Sequence, residues 1–488
     1  MTHAAAALPA PAHRTMAREW VRGNLFSAAA LALLASLVFA NALANGFVLD
    51  DRGIILGNPL VQNFGNTWRA FTLPYWPEAL GGGQYRPLAI LHFALDWRLS
   101  GGDPAWFHAV NVMWHALATV LVWRLVALLM QPRMAFIAAA LFAVHPVHVE
   151  AVANVVGRLE LMATVFTLGA LLAHRASHWL AILFFALGLL SKENAIVFLG
   201  LAAAHDVLLR PQTSDLRPRK RLYAGYAVVL LLYAAIVFLV FNDRPFHVVT
   251  GTLDGEPLGT RLWTMAKVVP EYVRLLLFPA SLSADYEPQV IRSANGLTLA
   301  GAAGLLCVAA YIGALVITWK RNRALALALG WVAIAIAPVA NVFFVSGVTL
   351  AERSLYLPSV GVVLALGIVV DSALARRNMF VYAAVAALTV AGALRTWTRT
   401  PAWHDDRAYV LTLLADHPES YRGHWVAARA YRAAGRLPEA HAEFTMARRL
   451  FPRSRELYSE SATLAAAMGS PREAQALSDT AAQLARRR

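Results

Sequence analysis

The chain has 488 residues, of which 58% are hydrophobic and only 15% charged, and its mean hydropathy is +0.52. An ordinary soluble domain has a smaller apolar share, so the composition excludes that class and indicates a polytopic membrane protein. The net charge of +14 does not predict a nucleic-acid partner, because most basic residues form short clusters between apolar runs. The single cysteine, Cys307, excludes a disulfide framework and a cysteine-based metal site.

Eleven apolar runs are predicted to cross the membrane, so the expected fold class is all-α with about eleven transmembrane helices. The runs are residues 25–44, 106–130, 134–144, 161–172, 179–190, 195–209, 222–241, 297–319, 324–345, 356–374 and 379–394. Two further apolar stretches, 85–99 and 262–282, carry charges and prolines and are expected to lie as amphipathic helices on the outer interface.

Basic clusters occupy every second connection between these runs, as the positive-inside rule requires of cytoplasmic loops. They are Arg14/Arg18/Arg22, Arg133, His174-Arg175, Arg210 with 217–221, Lys320-Arg321-Arg323 and Arg376-Arg377. This pattern puts the N-terminus in the cytoplasm and, with an odd number of spans, the C-terminus on the opposite face. The outer connections are then the long ones, 46–105 and 242–296, and Gly81-Gly82-Gly83 in the first is a predicted flexible element.

After Trp397 the chain becomes charged and alanine-rich with no apolar run. A 34-residue unit starting at Tyr421 has small, aromatic and proline residues where a tetratricopeptide repeat requires them, and the next unit starts at Arg455. The matching residues are Ala428, Tyr431, Ala440, Phe444, Ala447 and Pro452, and Gly435, Ala440 and Ala447 recur as Gly469, Ala474 and Ala481. We therefore predict two domains, a membrane domain of residues 1–397 and a helical-repeat domain of residues 398–488 on the outer face. Such a solenoid either offers a concave peptide-binding surface or only supports the membrane domain.

Two adjacent carboxylates, Asp50 and Asp51, follow the first apolar run at the point where that span should leave the membrane. Interfacial, partly desolvated acids suit proton transfer or ion binding. The alternative is that Gly46 ends the span and the two acids merely begin a solvated loop.

Further unusual residues lie at the predicted outer ends of other spans, and the topology brings all of them to the face that carries Asp50 and Asp51. They are His145, His148 and Glu150; Arg158 and Glu160; Lys192; and Glu352 and Arg353. Cations at such an interface suit an anionic lipid headgroup, and a carboxylate suits deprotonation of an acceptor hydroxyl. Each piece has a structural alternative: the histidines and Glu150 as metal ligands or as interfacial hydrogen-bonding groups, Lys192 and Arg353 as snorkelling cations, Glu160 as a first-turn acid.

The sequence also lacks a glycine-rich phosphate loop, a dinucleotide fingerprint and a cytoplasmic domain large enough to bind a nucleotide. Group transfer on the outer face would therefore use a donor carried on a membrane lipid phosphate, which matches a cationic interfacial groove.

The same residues resemble a known family. The motifs, in order, are Phe47-Val48-Leu49-Asp50-Asp51, Tyr85-Arg86-Pro87-Leu88, Phe107-His108 with Asn111 and His115, His145-Pro146-Val147-His148-Val149-Glu150, Gly157-Arg158, Ser191-Lys192-Glu193 and Ala351-Glu352-Arg353-Ser354-Leu355-Tyr356-Leu357-Pro358. With the repeats, they are similar to those of the transmembrane and tetratricopeptide-repeat O-mannosyltransferases and their bacterial relatives, in the GT-C superfamily of polytopic glycosyltransferases.

The resemblance implies an inverting transfer of a sugar, with mannose a candidate, from a polyprenyl or dolichyl phosphate to an acceptor such as a protein hydroxyl. It implies a base or acceptor-positioning role for Asp50 and Asp51. Arg158, Glu160, Lys192 and Arg353 would serve the lipid phosphate or shape the groove; Arg86, His145, His148, Glu150 and Glu352 would contact the acceptor or support the site. A divalent cation is used by some superfamily members and not by others, and the sequence does not decide this.

We therefore interpret the chain as a membrane glycosyltransferase acting on the periplasmic face of a bacterial inner membrane, with the repeats as a candidate site for the protein acceptor. Two other classes stay open: a transporter or flippase of lipid-linked precursors, which predicts ionisable residues at mid-bilayer, and a non-enzymatic scaffold that presents the repeats. In the enzyme, Asp50, Asp51, Glu160, Lys192 and Arg353 should line one outward cavity.

Overall fold

The computed structural model describes residues 12–77, 82–209, 217–242, 253–286, 290–374 and 379–486, which contain twenty α-helices and no β-strand. The helices are α1 Ala12–Val38, α2 Pro59–Gln62, α3 Pro87–Ser100, α4 Pro104–Val126, α5 Pro132–Ala143, α6 Val149–Ala153, α7 Arg158–Ala176, α8 His178–Ser191, α9 Val197–Leu209, α10 Arg217–Phe241, α11 Leu258–Leu277, α12 Leu299–Arg321, α13 Arg323–Ile336, α14 Tyr356–Leu374, α15 Met379–Arg399, α16 Asp406–Asp416, α17 Tyr421–Ala433, α18 Leu437–Leu450, α19 Arg455–Ala467 and α20 Pro471–Arg486. The all-α prediction is confirmed. Gly81, Arg210, Arg376 and Arg377 lie outside the described residues, as do the side chains of residues 12–23 and 217–219.

Each predicted span coincides with a helix, which confirms a multi-pass membrane protein. Six helical stretches of the described chain are long and apolar enough to cross a bilayer: Pro104–Val126, Val155–Ala176, Lys220–Phe241, Leu299–Arg321, Glu352–Ser372 and Phe380–Trp403. Helices α5 and α6 together form a seventh candidate that is bent by 49°. Three shorter apolar helices, Asn24–Val38, His178–Ser191 and Arg323–Val339, add to these. The number of eleven spans stays a prediction.

Helix α7 is the centre of the membrane domain. It packs against α4 and α8, and 89% of its most apolar stretch is buried. In α10 and in α15, only 6% of the corresponding stretch is buried. Apolar helices whose side chains face outward need a hydrocarbon environment, so α10, α12 and α15 form the lipid-facing rim. The start of α7 packs closely because residue 157 is glycine: a Cβ there would lie 2.3 Å from the Ala151 carbonyl oxygen.

The two stretches predicted to lie on the interface form helices α3 and α11. Helix α3 begins with Pro87 in its first turn, and Gly101 caps its C-terminus with a φ of +67°, a conformation that suits glycine. Helix α11 contains Pro270. Neither helix is among the candidate spans of the described chain.

Helices α17 to α20 form two antiparallel hairpins, which confirms the tetratricopeptide-like prediction. Ser420 and Ser454 cap the first helix of each hairpin, and Gly435 and Gly469 occupy the turns with φ of +73° and +75°. The predicted small and aromatic positions form the hairpin core: Ala428, Ala440, Phe444 and Ala447 are buried together with Tyr421, Leu457 and Leu464. The predicted domain boundary at residue 397 falls inside α15, and α16 shares the main core of the membrane domain through Tyr409, Val410 and Leu413.

The C-terminal helices contact both long connections that were predicted to be outer loops. The Gly46 amide donates to the His404 carbonyl oxygen at 2.7 Å. Asp285 of the second connection accepts a hydrogen bond from the Ser420 hydroxyl at 3.3 Å and lies 3.6 Å from Arg422. The repeats and both connections therefore lie on the same side of the helix bundle.

Candidate active site

The two adjacent acids of the first loop have opposite environments. Asp51 is fully buried, and its carboxylate accepts hydrogen bonds from the Val156 amide at 2.8 Å, the Val48 amide at 3.2 Å and the Val155 amide at 3.4 Å. Burial raises the pKa of Asp51 to about 7, although these backbone donors oppose the shift. Asp51 therefore ties the first loop to the start of α7.

Asp50 is partly exposed, and its carboxylate makes no hydrogen bond or ion pair with the described residues. It does lie within electrostatic range of Arg353 and of the buried Tyr75. A carboxylate that is accessible, near a cation and not consumed by a protein donor can accept a proton from a substrate. Of the two acids, Asp50 has the geometry of a base.

A tight turn presents Asp50. The Asp51 amide donates to the Val48 carbonyl oxygen at 3.1 Å, which closes a turn with Leu49 and Asp50 at its centre. Leu49 has a φ of +50°, in the left-handed region that leucine seldom adopts. The Arg52 amide continues the chain reversal by donating to the Leu49 carbonyl oxygen at 3.1 Å.

Arg353 is a cation that interacts electrostatically with Asp50 of this turn. It lies just before α14. Its Nη1 lies 2.5 Å from Oε1 of Glu150, and its backbone amide donates to Oε2 of Glu150 at 2.8 Å. Glu150 thereby fixes both the backbone and the side chain of Arg353. The Arg353 side chain is 29% exposed, and its Nε and Nη2 make no hydrogen bond with the described residues, so these groups can bind an anion.

Two further ion pairs lie beside Arg353. Lys192 Nζ pairs with Glu160, and burial lowers the pKa of Lys192 even though Glu160 opposes this. Arg86 forms a two-point pair with Glu193, with Nη2 to Oε1 at 2.5 Å and Nε to Oε2 at 2.9 Å. Burial disfavours the charge of Glu193, but the Arg86 guanidinium outweighs it and lowers the pKa of Glu193 to about 2.

These groups form one charge cluster. Arg353 interacts electrostatically with Glu150, Asp50, Glu160 and Arg86, and Lys192 interacts with Glu160, Arg86, Glu193 and Arg353. Tyr75 lies against it, with the Arg86 guanidinium 5.3 Å from its ring, and its buried hydroxyl has no hydrogen-bond partner among the described residues. The topology-based prediction had grouped Asp50, Asp51, Glu160, Lys192 and Arg353 at one outward cavity. In the structure Asp50, Glu160, Lys192 and Arg353 belong to the same charge cluster, whereas the Asp51 carboxylate is buried among backbone amides. The outward cavity stays a prediction.

Arg158 belongs to a different, closed network. It is fully buried, its Nε donates to Asn111 at 2.7 Å, its Nη2 donates to the Phe107 carbonyl oxygen at 2.7 Å, and its Nη1 pairs with Asp96. Its guanidinium also lies 4.9 Å from the centre of the Phe93 ring. Because these protein groups use its donors, Arg158 holds α3, α4 and α7 together rather than facing the charge cluster.

Glu352, next to Arg353 in the chain, holds the second connection. Its Oε1 accepts hydrogen bonds from the Ser283 amide at 2.6 Å and from the Tyr286 hydroxyl at 2.7 Å, and the side chain is buried. Adjacent residues at the start of α14 thus serve two purposes, one toward the loop and one toward the charge cluster.

The predicted histidines take part in internal hydrogen bonds. His145 Nε2 contacts the Leu276 carbonyl oxygen at 3.1 Å, and the buried His148 contacts the Ser359 hydroxyl at 2.9 Å. Glu150 is turned toward Arg353. In the part of the chain that the structure describes, no group of three or more histidine, cysteine, aspartate or glutamate side chains converges as a metal site.

The sequence did not single out four residues that shape the site. Glu193 stood within a quoted motif and Asp96 among the charges of an amphipathic stretch, so a signal existed for both. Tyr75 carries no signal beyond its aromatic ring. Asp406 pairs with Arg52 of the first loop, with 2.8 Å between Oδ2 and Nε. In the sequence it has only the pattern of an ordinary acid in the first turn of a helix, which does not predict this contact.

The fold and the site together define a class: an all-α multi-pass membrane protein whose charged cluster lies at the ends of its spans. Comparisons with known proteins narrow that class. Residues 89–242 match the family model of dolichyl-phosphate-mannose-protein mannosyltransferases.

The curated relatives are named protein O-mannosyl-transferases. Protein O-mannosyl-transferase F38B6.6 of Caenorhabditis elegans is 29% identical over 345 residues, which cover 67% of this chain and 49% of that protein. TMTC3 of Mus musculus is 29% identical over 374 residues, covering 67% of this chain and 41% of its own length. Tmtc2 of Drosophila melanogaster is 37% identical over 277 residues, covering 52% of this chain and 29% of its own length. The resemblance inferred from the motifs is confirmed: the chain is similar in sequence to these protein O-mannosyl-transferases.

The chain spans about half or less of the length of these three relatives. No solved structure matches it.

Proposed function

We propose that this protein is a membrane glycosyltransferase that moves a sugar, with mannose the first candidate, from a polyprenyl-phosphate donor to a hydroxyl of a protein acceptor. The observation that carries the proposal is that a partly exposed carboxylate without a protein partner, Asp50, lies within electrostatic range of Arg353, a cation that Glu150 anchors on one side only. The names of the relatives support the transfer of mannose to protein.

The reaction is a single displacement. The Asp50 carboxylate takes the proton of the acceptor hydroxyl as its oxygen attacks the anomeric carbon, and the bond from that carbon to the lipid-phosphate oxygen breaks. The electron pair of that bond leaves with the phosphate, which is an anion before and after the step and so needs no general acid. Attack from the face opposite the leaving group inverts the anomeric centre.

Arg353 is the cation that contacts the donor phosphate. The free Nε and Nη2 of Arg353 bind the phosphate, and Glu150 holds the guanidinium so that its orientation costs little on binding. Lys192 is held beside Arg353 by its ion pair with Glu160 and helps to shape the groove. The contribution of Asp51 is to hold the turn, and that of Arg158 is to hold the helices that surround it.

The membrane arrangement belongs to the same proposal. The N-terminus and the basic clusters lie on the cytoplasmic side, and the charge cluster and the repeats lie on the periplasmic side of a bacterial inner membrane, where a lipid-linked donor is available. A divalent cation is not required by the displacement as written. A transporter or a scaffold would not need an unpaired carboxylate beside an anchored cation at the ends of spans.

The test is turnover of polyprenyl-phosphate-mannose in membranes that contain the full chain, with peptides rich in serine and threonine as acceptors. We expect Asp50→Asn to lower turnover by about 10²- to 10⁴-fold, the usual contribution of a general base, with no change in unfolding temperature. Asp405→Asn is the matched control, because Asp405 is an exposed helix cap and asparagine caps equally well.

Equal turnover by Asp50→Asn and the wild type would overturn the role of Asp50. If the wild type leaves a panel of lipid-linked sugars unchanged, the transferase proposal fails and the transport and scaffold alternatives gain. Transport is then measured directly, as movement of a labelled lipid-linked sugar across reconstituted vesicles.

A further inference from the structure

The C-terminal segment forms hydrogen bonds and an ion pair with the turn that presents Asp50. We name residues 46–52 the base loop. Asp406, in the first turn of α16, accepts a hydrogen bond from the Leu49 amide through Oδ1 at 3.3 Å and pairs with Arg52 Nε through Oδ2 at 2.8 Å. Its two carboxylate oxygens therefore bind on either side of Asp50. The contact from the Gly46 amide to the His404 carbonyl oxygen extends the same junction.

The base loop needs an external restraint. Leu49 has a φ of +50°, a conformation that is disfavoured for a residue with a Cβ and persists only where the surroundings enforce it. Asp51 enforces it from the membrane side through the Val48 amide, and Asp406 enforces it from the C-terminal side through the Leu49 amide itself. Without Asp406, the Leu49 amide and the Arg52 guanidinium both lose their partner.

Helix α16 reaches the charge cluster a second time. Tyr409, three residues further along, is buried and interacts electrostatically with Asp50, Glu150 and Asp285. Its ring packs against Trp403 with 5.4 Å between ring centres. The helix is therefore seated beside the site through its own core contacts, which makes Asp406 a fixed point rather than a mobile surface acid.

We propose that Asp406 is a positioning residue for the transfer reaction: it locks Leu49 in the left-handed conformation that directs the Asp50 carboxylate toward the acceptor. This inference rests on the proposed function, since it assigns Asp406 a role through the base of that reaction. It also makes the first helix after the membrane domain an integral part of the active site, independent of any role of the repeats in binding acceptors.

The activity test compares Asp406→Ala, Asp406→Glu and the control Asp405→Asn in the full chain. We expect Asp406→Ala, which removes both carboxylate oxygens from the base loop, to lower kcat by about 10- to 100-fold, as misplacement of a base does, while the KM for the lipid donor and the unfolding temperature stay unchanged. Asp406→Glu should recover part of the loss. Asp405→Asn should behave as the wild type, because Asp405 only caps α16.

A rescue variant separates positioning from a general structural effect. Leu49→Gly removes the Cβ that makes the left-handed conformation unfavourable, so it should restore much of the activity of Asp406→Ala. Additive effects of the two changes, or an unchanged kcat in Asp406→Ala, would overturn the proposal. A fall in unfolding temperature that accounts for the loss of activity would overturn it as well.

A second measurement needs no turnover. In a Cys307→Ser background, Asp50→Cys supplies the sole thiol, and its labelling by a membrane-impermeant maleimide reports the exposure of position 50. Adding Asp406→Ala should change the labelling rate several-fold, and adding Asp405→Asn should not. An unchanged rate with Asp406→Ala contradicts the positioning role. Failure of the proposed function has a different signature, namely Asp50→Asn with wild-type turnover.

Discussion

Two charged centres lie within the membrane domain, and they differ in how completely their groups are paired. Around Arg158, every guanidinium nitrogen has a protein partner, and Asp96, Asn111 and the Phe107 carbonyl oxygen surround it without exposure to solvent. Around Arg353, Glu150 binds one nitrogen and the backbone, and the rest of the guanidinium is open beside the unpaired Asp50. Both centres contain an arginine at the start of a helix paired with an acid far away in sequence.

The difference separates structural from chemical work. A buried charge that is fully hydrogen-bonded has its desolvation offset and holds its neighbours in one arrangement, but it has no donor left for a ligand. A centre that is anchored on one side only keeps donors for a ligand and loses little entropy when it binds one. The Arg158 network fits the first description and the Arg353 cluster the second.

The largest expected effect is on the closed centre. Arg158→Gln removes one partner of a fully buried pair and leaves Asp96 charged without a counterion, which should cost about 3–5 kcal/mol of unfolding free energy. The measurement is thermal unfolding of the detergent-purified protein, together with the yield of folded protein.

The control is a double change to apolar residues, Arg158→Met with Asp96→Leu, which removes both charges and should recover part of that stability. If Arg158→Gln unfolds like the wild type but loses turnover, Arg158 acts on the substrate and the division between the two centres is wrong.

The sequence could place the helices but not sort the two centres. Apolar runs and glycine turns predicted the bundle and the hairpins, because those signals are local in the chain. The pairs that decide function join residues far apart, such as Arg353 with Glu150 and Arg86 with Glu193, and no local pattern encodes them. Arg158 and Arg353 both lie just before a predicted span, so the two arginines received the same predicted role.

The roles of Asp50 and Asp51 were inseparable for a related reason. The two acids are adjacent and chemically equivalent, and only the turn at Leu49 sends one carboxylate into the protein and leaves the other outside. That turn depends on a φ of +50° at a leucine, which no propensity would predict, and on Asp406, some 357 positions away. The unpredicted part of the site is therefore the part that long-range contacts impose on the backbone.

An intermediate effect is expected at the open centre. Arg353→Gln should lower kcat/KM for the lipid donor by about 10- to 100-fold, the value of one charge-assisted contact, mainly through a higher KM. The kcat/KM of Arg353→Lys should lie between the values for the wild type and for Arg353→Gln, because lysine keeps the charge but not the two-point geometry. The measurement is kcat and KM from steady-state kinetics at varied donor concentration and a fixed acceptor concentration. An unchanged donor KM in Arg353→Gln would show that the phosphate binds elsewhere.

The smallest effect concerns Asp51 and appears as a pH dependence of stability. Burial raises its folded pKa from 3.8 to about 7, so the folded protein holds this proton more tightly than the unfolded chain. The resulting stabilisation is complete below pH 3.8 and is lost as the pH rises through 7, at no more than about 1.4 kcal/mol per pH unit. Asp51→Asn cannot titrate, and its amide presents hydrogens to backbone donors, so it should be less stable and should lack this slope. Unfolding measured between pH 5 and pH 8 in both proteins isolates the difference, since other groups contribute equally to each. Parallel pH profiles would mean that the carboxylate stays ionised among its three amide donors, and that Asp51 holds the turn as an anion.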